Sequence, residues 1–197
     1  MKYLSIDLEA TGLGENCQII EFAMIPFDTQ LKRLEDPLAR SIYIHCPSFE
    51  DLRDSLDPWV REHNEKIIRK AHAEGLMISE FREYFRKYLE STEVRSFFGN
   101  QKIVLFGKSM TAIDLPFLNR DLGWEFMRKY FHHRNLDLSG IGYSLIDLGL
   151  LPMGMDSGSN LMNYLNMGGV AHTALEDAKN TAIMYLKLLD KFEAKKG

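Results

Sequence analysis

The order in which strand-like and helix-like runs follow one another constrains this chain more than any single motif. Three strand-like runs come first: KYLSID at 2–7, CQIIEFAMIPFD at 17–28 and RSIYIHC at 40–46, separated by turns bearing Gly, Asp and Pro. They predict a meander. Two helical stretches follow, roughly 57–73 and 79–98, the second carrying Phe81, Tyr84, Phe85, Tyr88 and Leu89 at helical spacing. That stripe reads as core. Two further strands, KIVLFG at 102–107 and RNLDLS at 134–139, each lead into a helix, the first beginning near Asp114, so the pattern becomes strand, helix, strand, helix. The stretch 152–169 shows little periodicity and reads as a loop-rich approach to a last helix at 174–192, with KFEAKKG expected to fray. The expected fold is α/β: a mixed five-stranded sheet flanked by helices, in one domain spanning 1–197.

Composition narrows the function classes. A chain of 197 residues, 45% hydrophobic, buries one sizeable core. Its net charge of -4 argues against a dedicated duplex-DNA binder, whose affinity comes mainly from a basic surface neutralising phosphates. A local basic groove, or bound cations, stays open. Only Cys17 and Cys46 occur, without paired spacing, which argues against a disulfide framework and a zinc site and suggests a reducing cytoplasm. The chain enters its first strand at Lys2 without an apolar signal region, and its most apolar stretch is broken by Glu21 and Pro26, so no membrane span is expected.

Carboxylates carry the chemistry. Asp7 and Glu9 stand two apart in a strand-like run, so their side chains point the same way. They repel unless a cation sits between them, and hard divalent ions such as Mg²⁺ or Mn²⁺ take such oxygen ligands. The plain alternative is an exposed strand end with two solvated acids. Thr11 and Gly12 follow, and a glycine turn there lets backbone amides approach a ligand. In HTALEDAKNTA, Thr173 and Glu176 have the spacing of a capping box, which places His172 at N′ and Asp177 at N4. Those positions meet in a staple, so an imidazole stands beside a carboxylate, unless this is simply a capped helix with a polar staple. Asp114 follows a buried-looking strand, with Pro116 suited to a first helical turn, and either caps that helix or joins the other acids in one cleft.

These residues together resemble the DEDDh 3′-to-5′ exonucleases, which share a ribonuclease H-like fold. DLEATG is similar to their first motif, Asp114 in AIDLPFL to the second, and His172 with Asp177 in HTALEDA to the third. Within the family the chain resembles the oligoribonucleases, through YFHHRNLDLS at 130–139 and the spacing of Leu56, Trp59 and His63. The resemblance implies two Mg²⁺ or Mn²⁺ ions. Asp7 would bridge them, Glu9 and Asp177 would complete one site, and Asp114 would serve the other, partly through water. His172 is implied as general base, Leu13 and Trp59 as contacts to substrate bases, and Arg134 and Ser139 as holders of a terminal phosphate, with Thr11 and Gly12 beside the substrate. Trp59 as core, and Arg134 paired with Asp137 or Glu125, are the structural alternatives. Where many relatives carry His-Asn or Asn-Ser before the second-motif Asp, this chain has Ser109 and Met110, and His133 replaces their Tyr. The phosphate-holding set is therefore incomplete, and a strict dinucleotide preference does not follow.

The implied reaction is hydrolysis of the last phosphodiester of single-stranded or short RNA or DNA, releasing a nucleoside 5′-monophosphate from the 3′ end. A homodimer is compatible with the resemblance. The alternatives are a nucleic-acid-binding module that kept the fold and lost catalysis, and a metal-dependent hydrolase of another phosphodiester.

Overall fold

The computed structural model describes residues 1–168 and 173–193. The chain runs through β1 (Lys2–Ala10), β2 (Ile19–Asp28), β3 (Arg33–Leu34), a 3-10 turn (Asp36–Leu38) and β4 (Arg40–Tyr43). Five helices follow: α1 (Phe49–Leu52), α2 (Pro58–His63), α3 (Glu65–Glu74), α4 (Ile78–Glu90) and α5 (Thr92–Phe98). Next come β5 (Leu105–Gly107), α6 (Asp114–Leu122), α7 (Trp124–Tyr130), β6 (Leu136–Asp137), α8 (Leu138–Asp147), α9 (Gly158–Tyr164) and α10 (Ala174–Glu193).

The sheet is mixed, with β1 antiparallel to β2 and parallel to β5, and β5 parallel to β6. It has six strands where the sequence suggests five, because β3 and β4 share the outer edge of β2. Pro26 explains the split. Its carbonyl accepts from Glu35 N at 2.8 Å, so its nitrogen faces that same edge, where proline has no N–H to donate. β4 pairs with residues 21–24 and β3 with residues 27–28, leaving the proline between them. The sheet is thus five positions wide, as expected.

Side-chain alternation along β1 divides the core. Leu4, Ile6, Leu8 and Ala10 face a layer containing Phe81 and Phe85 of α4 and Phe117 of α6, with Phe22 packing on Phe81 and Phe85 at ring-centroid distances of 5.4 and 5.1 Å. Tyr3 lies on the opposite face, with Phe27, Phe106, Ala182 and Leu186. Ser5 shares that face and donates to the carbonyl of Ala178 at 2.8 Å.

Several helices differ from the sequence reading. The expected helix at 57–73 is two, broken at Asn64, and the one at 79–98 is broken at Ser91, whose extended backbone (φ -63°, ψ 151°) makes it the N-cap of α5. Periodicity spans both breaks because the buried face continues across them. The loop-rich stretch 152–169 contains α9, started by Ser157, whose hydroxyl accepts from Asn160 N, and pinned by buried Leu161 and Met162. The expected frayed end stays helical to Glu193; its last residues, 194–197, lie outside the described chain. Among the described residues no helix is long and apolar enough to cross a membrane.

Close approach of α10 to the sheet is made by small residues. Ala174, Ala178 and Ala182 recur every four positions, hence on one helix face, and each is fully buried. Ala178→Leu therefore forces the helix off β1, and urea denaturation should show a loss of about 1–3 kcal/mol, the usual cost of overpacking. The same variant should weaken Mn²⁺ binding in calorimetry, because the acidic first turn of α10 moves with the helix.

Candidate active site

β1 stays extended through Asp7 and Glu9, so both carboxylates stand on the face that carries Ser5 and packs under α10. Across β2, Asp7 is opposite Ala23, a residue too small to fill the space, and Glu9 is opposite Glu21. Asp177 descends on this point from the first turn of α10. One carboxylate oxygen from each of Asp7, Glu9 and Asp177 lies within 4.8 Å of the others. The expected cap is there in part: Thr173 Oγ1 accepts from Glu176 N at 3.4 Å, and the same hydroxyl donates to the Glu176 carboxylate at 2.8 Å. His172, the expected base, lies outside the described residues.

Asp114 is not the N-cap of α6; Ile113 is, and it makes no side-chain cap bond. The Asp114 side chain is turned inward instead. It is 4% exposed, and its Oδ1 has no hydrogen-bond partner. Burial pushes its pKa up to about 7, with the charges of Asp137 and Glu9 adding to the shift and the amides of Asp114 and Leu8 opposing it. Asp177 is pushed up to about 6, by burial first and then by Glu176 and Glu21, against an opposing pull from Lys108. Burial likewise holds the Asp7 carboxyl well above the aspartate range, reinforced by Asp114, Asp177, Glu9 and Glu21. An all-oxygen donor set in which ionisation is costly and one buried oxygen lacks any partner fits hard divalent cations.

Three polar residues that the sequence reading did not single out hold this cluster. Asn64, buried at the junction of α2 and α3, donates from Nδ2 to Glu9 Oε2 at 3.0 Å. Glu21, also buried, accepts from Ser41 Oγ at 2.5 Å and from Ala174 N at 3.3 Å, tying the first amide of α10 to β2. Asp137 accepts from Ser109 N and Ser139 N, each at 2.9 Å, and so joins the loop after β5 to the start of α8. Glu21 could have been found, as the one charge inside the apolar run of β2. Nothing local marks Asn64.

The expected substrate residues divide into groups. Gly12, Leu13 and Trp59 line one cavity of about 430 Å³ with Glu9, Asp57, Val60 and Asn64. Leu13 is 77% and Trp59 53% exposed, which rules out Trp59 as core; it stacks on His63 at 4.4 Å instead. Gly12 has φ +155°, a backbone conformation that side-chain-bearing residues rarely adopt, and a Cβ there would meet Cys17 Sγ at 2.8 Å, so the turn favours glycine. Thr11 is buried, and its hydroxyl accepts from Gln18 N at 2.9 Å, so it shapes the turn rather than lining the cavity. Ser139 Oγ lies 2.9 Å from Ser109 Oγ, while Arg134 is exposed on the segment before β6 and makes no ion pair with Asp137 or Glu125.

Two tests follow from this geometry. With its folded pKa raised to about 7, Asp114 keeps its proton after the unfolded chain has lost it, so metal-free protein loses stability as pH climbs from the ordinary aspartate range to about 7. Melting temperatures across that window should fall for the wild type relative to Asp114→Asn, and Mg²⁺ should remove the difference in slope. Asn64→Ala releases Glu9 and should lower Mn²⁺ affinity by about 10-fold, the lower bound for losing a ligand's supporting hydrogen bond, as read by calorimetry.

The sequence pattern of the Exonuclease (RNase T) family matches residues 4–185. The chain is 34% identical over 151 residues to the oligoribonuclease of Legionella pneumophila, covering 69% of this chain and 68% of that protein. It is also 34% identical over 142 residues to the mitochondrial oligoribonuclease of Bos taurus, covering 69% and 54%. The fold resembles the nuclease domain of 3′hExo, a DEDDh family member solved bound to rAMP, with a TM-score of 0.69, 18% identity, and 96% and 92% of the two chains covered. Sequence pattern and sequence similarity agree: this chain belongs to the Exonuclease (RNase T) family, which its oligoribonuclease relatives share.

Proposed function

We propose that the protein hydrolyses short or single-stranded oligonucleotides from the 3′ end, one nucleoside 5′-monophosphate at a time, using two divalent cations, Mg²⁺ or Mn²⁺. The observation that carries this reading is the convergence of Asp7, Glu9 and Asp177 oxygens within 4.8 Å, beside the partnerless buried Oδ1 of Asp114. The oligoribonuclease similarity supports short substrates.

In this reading Asp7, Glu9, Asp114 and Asp177 would hold the cations. Bound there, divalent cations offset charge on the attacking and leaving oxygens and acidify water. The chain's own residues do the rest. His172, five residues before Asp177 in the sequence, takes the proton from the attacking water. Leu13 and Trp59 receive the terminal bases, since stacking on an aromatic contributes roughly 1–3 kcal/mol and suits any base. Gly12 brings backbone close to the substrate at the cavity rim. Arg134 and Ser139 hold a phosphate, Ser139 from the hydroxyl pair it forms with Ser109. A single strand can splay its end base into the cavity. A duplex draws most of its affinity from a basic surface, which a net charge of -4 does not favour.

The decisive experiment incubates RNA and DNA oligonucleotides of graded length, single-stranded and duplex, with Mg²⁺ or Mn²⁺ and identifies products by mass. Nucleoside monophosphates should appear from single strands, stop with EDTA, and fall by about 10³-fold or more in Asp7→Asn, the loss of several kcal/mol of charge stabilisation. Full Asp7→Asn activity in EDTA overturns the reading.

A further inference from the structure

We propose that Lys108 is a substrate-contacting residue of this site, its ammonium pairing with a phosphate oxygen of the nucleotide held at Asp7 and Asp177. The inference rests on the exonuclease reading above. Its first support is register. β1 and β5 pair in parallel, Leu4 with Leu105 and Ser5 with Phe106. Lys108 is the residue that follows β5, two positions past Phe106, just as Asp7 is two positions past Ser5 on the neighbouring strand. Ser5, whose hydroxyl reaches Ala178, and Phe106, whose ring lies 5.2 Å from Tyr185 of α10, mark the sheet face involved, and α9, which the Lys108 stem touches, packs its Leu161 and Met162 on that same side.

Packing gives the second support. A Cβ on Gly158 would come within 3.0 Å of Lys108 Cε and 3.5 Å of Nζ. The lysine stem therefore runs along the backbone that opens α9, and glycine leaves the room for it. Held there, the half-buried side chain brings its charge close enough to Asp177 to oppose the rise in that carboxyl's pKa.

Charge balance says what such a lysine is for. Ionised around cations, Asp7, Glu9, Asp114 and Asp177 would carry four negative charges, which two divalent cations would cancel, while Glu21 is met by its own two donors. The phosphodiester brings one more negative charge, and the transition state for its hydrolysis brings further charge on its oxygens. Lys108 supplies the matching positive one, as a point charge on a flexible stem that can follow the phosphate. The same ammonium lowers the repulsion among the carboxylates before metal and substrate arrive.

The test uses binding of a product that cannot turn over, alongside kinetics. Titration calorimetry in Mg²⁺ compares adenosine 5′-monophosphate with adenosine for the wild type, Lys108→Gln and Lys108→Arg. The preference for the monophosphate should shrink by about 10-fold or more in Lys108→Gln, the loss expected for a charge-assisted hydrogen bond, and stay within a few-fold in Lys108→Arg. Turnover of a short oligonucleotide should fall in parallel while Mg²⁺ affinity holds or rises. An unchanged monophosphate preference in Lys108→Gln, with only melting temperature or Mg²⁺ affinity altered, overturns the inference and makes Lys108 a counter-charge for the carboxylates. Wild-type protein that releases no nucleoside monophosphate with metal overturns the exonuclease reading and this inference with it.

Discussion

Three carboxylates from the middle of β1 and the first turn of α10 meet beneath that helix, with Asp114 from the start of α6 buried close enough to act on their charges, and the elements around them are arranged to tolerate that meeting. Two unit charges about 4 Å apart repel by about 4 kcal/mol at an effective dielectric of 20. A protein region with one such pair already favours a proton or a cation over two free anions. Here burial adds to repulsion at Asp7, Asp114 and Asp177, and all three carboxyls hold protons above the usual aspartate range. The site is built for ionised acids that water alone does not stabilise. Such a cluster suits a hard divalent cation, and in the absence of one it favours protons.

Neutral and oriented partners keep the acids from relaxing apart. Asn64 grips Glu9, Ser5 grips the α10 backbone at Ala178, and Glu21 accepts from the amide of Ala174 at that helix's start. Glu21 stands across the sheet from Glu9, a like-charge pairing that is ordinarily unfavourable. Its two donors, one a hydroxyl and one a helix N-terminal amide, offset that cost and fix where α10 begins. The alanine stripe then lets the helix lie close enough for Asp177 to reach Asp7. Removing any one of these contacts moves a carboxylate without touching it.

The acids were legible because their signal is local. A two-residue spacing in a strand and a Thr-x-x-Glu start to a helix fix directions within a few residues, and the structure brings Asp7, Glu9 and Asp177 together as those directions imply. In the sequence Pro26 marks only a break in an apolar stretch, and the split it imposes on the outer edge of β2 appears only in the pairing of β3 and β4. What stayed illegible depends on contacts between distant parts of the chain. Asn64 and Glu9 are 55 residues apart, and neither neighbourhood announces the other. The breaks at Asn64 and Ser91 were missed because hydrophobic periodicity is blind to a single residue that caps one helix and starts the next. Trp59 looked equally suited to core and surface from its type and spacing, and only its 53% exposure beside Leu13 decides between them.

Asn64 lies on the wall of the cavity that Leu13 and Trp59 open, and it also holds Glu9, a carboxylate of the acidic cluster. The two places therefore share one movable part. A ligand in the cavity that shifts Asn64 changes cation affinity at Glu9 by some factor, and thermodynamic reciprocity requires the cation to change the ligand's affinity by the same factor. Occupancy of the cavity and loading of the carboxylates are thus one coupled equilibrium. The size of that coupling is set by how far a single amide must turn.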